Sequence, residues 1–125
     1  MKKIYHLLIV ALLVPLFSAC DEFDTAPYLG TWGLVAYGEN GHEWEASYGS
    51  DYEEYVFYDD WTGFFSNGMG VRTQFYYDER GSRHLYLRHS DGITEDIYYR
   101  FDRGYMIMSN NSSFYSYRVY DRVRY

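Results

Sequence analysis

Outside an apolar N-terminal stretch, the side chains of this 125-residue chain that could do chemistry are three histidines, one cysteine and 18 carboxylates. Their spacing narrows what they can do. His84 and His89 lie five residues apart in one extended run, so a two-residue period sends them to opposite faces and they cannot share a metal. In His42-Glu43-Trp44-Glu45 the same period puts His42 with Trp44 and the two carboxylates together on the other face. Two carboxylates alone hold a Ca²⁺ loosely at best. Asp59-Asp60 and Asp91-Gly92 are turn chemistry first. An acidic pair could act as acid and base on a glycosidic bond only if strand pairing brought it together. Glu95 shares a face with Ile97 and Tyr99 near a strand end, where water is its expected neighbour. There is no G-x-S-x-G, no H-E-x-x-H, no phosphate-cradling glycine loop and no EF-hand spacing. The expectation is a protein with no catalytic residues, no metal and no cofactor.

The single cysteine, Cys20, has a different context. Met1-Lys2-Lys3 is cationic, and the apolar run from Leu7 to Phe17 is shorter than the roughly 20 residues a membrane span needs. Small Ser18 and Ala19 then precede Cys20, as at a processing site. The arrangement resembles a bacterial lipoprotein signal with its lipobox, with Phe17 where Leu is usual. A buried N-terminal strand or helix that ends in a cysteine is the alternative. The resemblance implies removal of residues 1–19, acylation of Cys20 by palmitate-like chains, and anchoring to the outer membrane of a cell envelope. Each buried CH₂ would contribute about 0.8 kcal/mol to that anchor. It would also occupy the only thiol, leaving no disulfide.

Residues 20–27 then form the lipidated cysteine and an acidic tether, Asp21-Glu22-Phe23-Asp24-Thr25-Ala26-Pro27, which spans about 23 Å when extended. Acidic residues after the cysteine resemble the signal that sends some Gram-negative lipoproteins to the outer face of that membrane. Asp24-Thr25-Ala26 resembles a short O-glycosylation motif with Thr25 as acceptor. A plain solvated spacer accounts for the stretch equally well.

What remains, residues 28–125, is enough for one domain. Two of the eleven basic residues, Lys2 and Lys3, fall in the signal, so nine arginines face 18 acidic groups, a net of −9. That field disfavours binding to nucleic acid. Seventeen Tyr, eight Phe and three Trp suit pleated, half-buried strands. Period-two runs separated by turn residues predict strands at 29–38, 42–48, 53–58, 61–66, 71–78, 83–89, 93–101, 105–109 and 113–123. No window has helical periodicity. Strands joined by tight turns must be antiparallel neighbours, and a sheet of eight or nine such strands loses its edges by closing. The expected fold is all-β, an up-and-down antiparallel barrel, with a two-sheet sandwich as the alternative.

Gly30-Thr31-Trp32 resembles the G-x-W motif that opens the first strand of lipocalins, and the likeness extends loosely over residues 28–125. It is similar to the short lipocalin-like domains of bacterial lipoproteins, although the chain has no room for the usual lipocalin helix. The resemblance implies that Trp32 closes one barrel end beneath an arginine of the last strand, Arg122 or else Arg118. Alternation places Trp32, Leu34, Tyr55, Phe57, Phe75, Tyr77, Leu85, Leu87, Ile97, Tyr99, Phe101, Ile107, Tyr115, Tyr117 and Val119 inside. So much aromatic volume predicts a mostly filled barrel with at most a shallow cup. The hydroxyls of Tyr77, Tyr99, Tyr115 and Tyr117 would need partners there, and these four are the candidate ligand-lining residues. Two functions fit. One is a non-catalytic binding module for a small apolar or aromatic ligand or a glycan. The other is a structural or accessory envelope protein that meets a protein partner through an outer face of Tyr58, Tyr76, Tyr86, Tyr98 and Tyr120.

Overall fold

The structure, a computed structural model, describes residues 26–46 and 51–124. The signal, Cys20 and the tether as far as Thr25 lie outside the described residues. The rest is nine antiparallel strands with no helix among the described residues. They are β1 (Gly30–Glu39), β2 (His42–Glu45), β3 (Glu53–Phe57), β4 (Thr62–Asn67), β5 (Arg72–Gly81), β6 (His84–His89), β7 (Thr94–Asp102), β8 (Tyr105–Ser109) and β9 (Ser116–Arg122).

From β3 to β9 each strand pairs with the next, and β9 returns to β1, so eight strands close a barrel and the sandwich is excluded. The first strand serves two partners along one edge. Its N-terminal half, Gly30 to Gly33, pairs with β3, and its C-terminal half, Ala36 to Glu39, pairs with β2. The ninth strand, β2, is therefore a flap that prolongs the wall beyond one rim. A bulge between Leu34 and Ala36 marks where β1 passes from barrel to flap. Asn40 (φ 51°) and Gly41 (φ 85°) form the two-residue turn at its tip, both in the left-handed region that a hairpin turn of this length needs.

The core is a single cluster that includes Trp32, Leu34, Tyr55, Phe57, Phe75, Tyr77, Leu85, Leu87, Ile97 and Tyr99. Phe101 packs against it, partly buried. The expected inward phase fails on the last two strands. Tyr115 precedes β9 and is 54% exposed, Tyr117 is half-buried, and Ile107 and Val119 are buried opposite one another but outside the inner cluster. Met106, Met108 and Tyr120 take the interior instead, so Tyr120 also leaves the outer face assigned to it. Both faces of Tyr105-Met106-Ile107-Met108 are apolar, so alternation there has no preferred phase. The register with β1 supplies it. Trp32 opposes Arg122 and Leu34 opposes Tyr120, which turns Arg122, Tyr120 and Arg118 inward. Both arginines are tolerated because they sit at the two barrel ends.

Candidate functional site

The two ends differ. At the first, Tyr28 is 2% exposed and plugs the barrel, its ring edge-on to Phe57, Tyr77 and Tyr99 at 5.6, 5.8 and 5.7 Å. Its hydroxyl donates to Glu79 (2.6 Å), and the Trp32 indole N–H donates to its carbonyl (2.8 Å). Arg122 lies over the Trp32 ring, 4.3 Å from the centroid, and donates to the carbonyls of Leu29 (2.8 Å) and Pro27 (3.2 Å). Gly30 belongs to this arrangement: at φ 115° it adopts backbone that L side chains rarely take, and a Cβ there would meet the Arg122 guanidinium. Arg118 is remote from Trp32, beside Tyr37 and Glu53. An open groove of about 580 Å³ lies outside this end, bordered by Trp32, Phe101, Arg103, Tyr105 and Arg122. Although it is the larger space, its floor is the capping pair itself, and Arg122 is already committed to the chain entering the barrel.

The opposite end is a cup. Its cavity of about 280 Å³ is far larger than the 10–15 Å³ or so that one water occupies on this kind of measure. The walls include Tyr37, Glu39, Trp44, Glu95, Asp96, Tyr117 and Arg118, with Tyr55, Ile97, Met108 and Tyr120 beneath. Tyr37 and Trp44 oppose each other in register between β1 and the flap strand and stack at 6.0 Å with an interplanar angle of 28°. Trp44 is 50% exposed on a strand that is exposed throughout. Tyr117 lies flat across Gly38, where any Cβ would collide with its ring, and its hydroxyl donates to Glu43 (2.7 Å).

The floor is polar. Tyr55 is buried with its hydroxyl toward Glu95 (3.1 and 3.2 Å), and His89 Nε2 is 2.8 Å from the same carboxylate. Beside them Tyr120 donates to Glu53 (2.9 Å), with Arg118 at 3.5 Å from that oxygen. The Tyr55 and Tyr120 rings meet edge-on at 5.6 Å. Burial, reinforced by the neighbouring carboxylates, pushes both hydroxyls well above the usual tyrosine range, so both stay protonated as donors. Burial opposes the charge on Arg118, but Tyr120 and Glu53 outweigh it.

Of the four tyrosines expected to line a site, Tyr117 alone borders the cup. Tyr77 and Tyr99 fill the interior toward the plugged end, where the Tyr77 hydroxyl donates to the carbonyl of Tyr58 (2.5 Å). Tyr115 is on the surface. Tyr37, Trp44, Glu95 and Arg118, which line the cup, and Glu53 and His89, which bond to its lining residues, have no joint role legible in the sequence. Glu95, expected in water near a strand end, keeps a third of its side chain exposed and also meets Tyr55 and His89. One signal was available: Glu95 alternates in phase with Ile97 and Tyr99. The two strand histidines do separate, His84 stacking on Tyr98 (4.1 Å) and reaching Asp96 (2.8 Å) while His89 joins the floor. No cluster of three His, Cys, Asp or Glu suited to a metal occurs among the described residues. No family model, curated protein or solved structure matches this chain.

Proposed function

We propose that this chain is a lipid-anchored, lipocalin-like binding protein of the cell envelope that holds a small apolar or aromatic ligand, or a glycan, in its open cup without transforming it. The observation that carries the reading is a roughly 280 Å³ cavity at one rim of an otherwise filled barrel, with a stacked Tyr37–Trp44 pair standing over it. A barrel that only needed to be stable could fill both ends, as Tyr28 does at the other. The Tyr55 hydroxyl is committed to Glu95, whose carboxylate is one-third exposed and keeps acceptor capacity for a ligand. Gly30 and Trp32 beneath Arg122 support the lipocalin-like reading. The anchoring rests on Met1 to Cys20 and is a proposal from sequence. Native mass spectrometry of protein purified from its host tests both parts. The expected result is an acylated Cys20 as first residue and a co-purified small molecule. An intact Met1 would remove the anchor, and a barrel that binds nothing from host extract or a ligand panel would remove the binding role.

A second reading, an accessory protein with a protein partner, is favoured by the outer wall. There Arg72 lies over Phe64 (4.1 Å), Arg80 over Tyr86 (4.0 Å) and Arg88 over a half-exposed Tyr76 (6.0 Å). Arginine on aromatic rings is the composition that interfaces favour. Co-purification of a stoichiometric protein that is lost in Tyr76→Ala would select it.

A further inference from the structure

We infer that the ligand of the cup is the end of an uncharged saccharide, one sugar ring lying against the Tyr37–Trp44 pair; this rests on the cup being a binding site and names the class of ligand it takes. Trp44 is half-exposed on a flap, with Tyr37 stacked behind it. A broad apolar face at a rim is what the C–H face of a pyranose covers, while the hydroxyls around that ring stay free for polar groups. The floor supplies those groups. Glu95 lines the cup, accepts the Tyr55 hydroxyl, faces His89 Nε2 and keeps a third of its side chain exposed, and Glu39, Asp96 and Arg118 line the cup beside it. A wholly apolar ligand seated here would strip water from carboxylates without replacing its hydrogen bonds, which is costly. Sugar hydroxyls replace them.

Two further features set limits. Beneath the floor the barrel is filled, with Phe75 and Leu87 fully buried, so an acyl chain has no apolar depth to enter. At about 280 Å³ the cup lies at the lower edge of ordinary ligand pockets, roughly 300–1,000 Å³, which suits a single ring whose chain continues out of the mouth. Charge selects among sugars. Glu39, Glu95 and Asp96 line the cup against Arg118, whose guanidinium already faces Glu53, so carboxylated or sulfated sugars meet a like-signed field.

The test is calorimetric titration of the intact purified protein with three probes. These are neutral di- to tetrasaccharides of glucose, galactose, mannose and N-acetylglucosamine; their uronic-acid counterparts; and the neutral apolar dye N-phenyl-1-naphthylamine. At least one neutral oligosaccharide should bind. Its uronic counterpart should bind about fivefold more weakly at low salt, the size of a partly exposed charge effect. Trp44→Ala should weaken binding about tenfold, while Trp44→Phe, which keeps a ring on the flap, retains most of it. Unchanged unfolding midpoints in both variants would separate lost contact from lost fold. Dye binding that Trp44→Ala abolishes, without saccharide binding, would overturn the sugar assignment and leave the cup a binding site. Equal or tighter binding of the uronic sugar would overturn the charge selection. Binding of no probe would overturn both this inference and the reading it rests on.

Discussion

Arg122 and Trp32 face each other across the seam where the last strand meets the first, the guanidinium 4.3 Å from the ring centroid. The same guanidinium donates to the carbonyls of Leu29 and Pro27, so one side chain ties the closing strand to the opening strand and to the segment that leads into it. A lysine has the charge but not the planar fork that reaches both carbonyls and the ring. Arg122→Ala should lower unfolding free energy by about 1–2 kcal/mol, and Arg122→Lys should recover less than half of the loss. Denaturant midpoints at unchanged slope measure this. Equal stability of Arg122→Ala and wild type would mean that the seam closes without it.

Tyr28 does the corresponding work from inside. It lies outside any strand yet is 2% exposed, with three aromatic rings around it and Glu79 at its hydroxyl. Tyr28→Ala should cost about 3–5 kcal/mol, as large aromatic truncations in cores do. Tyr28→Phe keeps the ring packing and should cost about 1 kcal/mol. Thermal unfolding of the pair separates packing from the hydrogen bond, and a small loss in Tyr28→Ala would show that the plug is dispensable.

Strand number, antiparallel order and closure were legible because each depends on local signals: period-two runs and turn residues every eight to twelve positions. The phase of the last two strands was not, because Met106 and Met108 are as apolar as Ile107 and the deciding term is non-local. Even so, sequence held a consistency test. If Arg122 covers Trp32 from the inner face, alternation forces Tyr120 and Arg118 inward and Val119 outward, so an inward Val119 was incompatible with the capping arginine. The cup was invisible for a related reason. Glu95, His89, Tyr55, Glu53, Tyr120 and Arg118 meet only through four different strands, and Tyr37 reaches the interior because a bulge at the middle of β1 resets its phase. Tyr28 went unread because a residue before the first strand has no period to follow.

Trp44 is where stability and the proposed recognition come apart. It packs on Tyr37 but belongs to no buried cluster, and its strand is exposed throughout. Trp44→Ala should therefore change unfolding free energy by less than about 1 kcal/mol. Trp32→Ala, at 1% exposure, should cost about 3–5 kcal/mol. Denaturant unfolding of the two variants checks the contrast. A Trp44→Ala loss as large as that of Trp32→Ala would make the flap part of the fold's core and weaken the case for a recognition surface.

Alkaline pH should unfold this barrel by a route its tyrosines set. Burial pushes Tyr77 up to about 12 from an ordinary value of 10.0, and burial also raises Tyr28, Tyr55 and Tyr120 well above that ordinary value. In the unfolded chain these phenols release protons near pH 10, whereas in the barrel they keep them. Above pH 10 the native state therefore binds more protons than the unfolded state, and stability falls as pH rises. The stabilisation is fully present below pH 10 and is lost through about 12 for Tyr77. Denaturant midpoints should be flat from neutral pH to just below 10 and then drop; exposed tyrosines such as Tyr76 and Tyr115 ionise in the folded barrel, but the share of tyrosinate absorbance lost in Tyr77→Phe should appear together with unfolding. Tyr77→Phe should show a shallower drop over the same window, since it has one fewer phenol to release. Ionisation of the Tyr77 phenol ahead of unfolding would mean that this hydroxyl reaches solvent in the folded barrel and that the plugged end does not shield it.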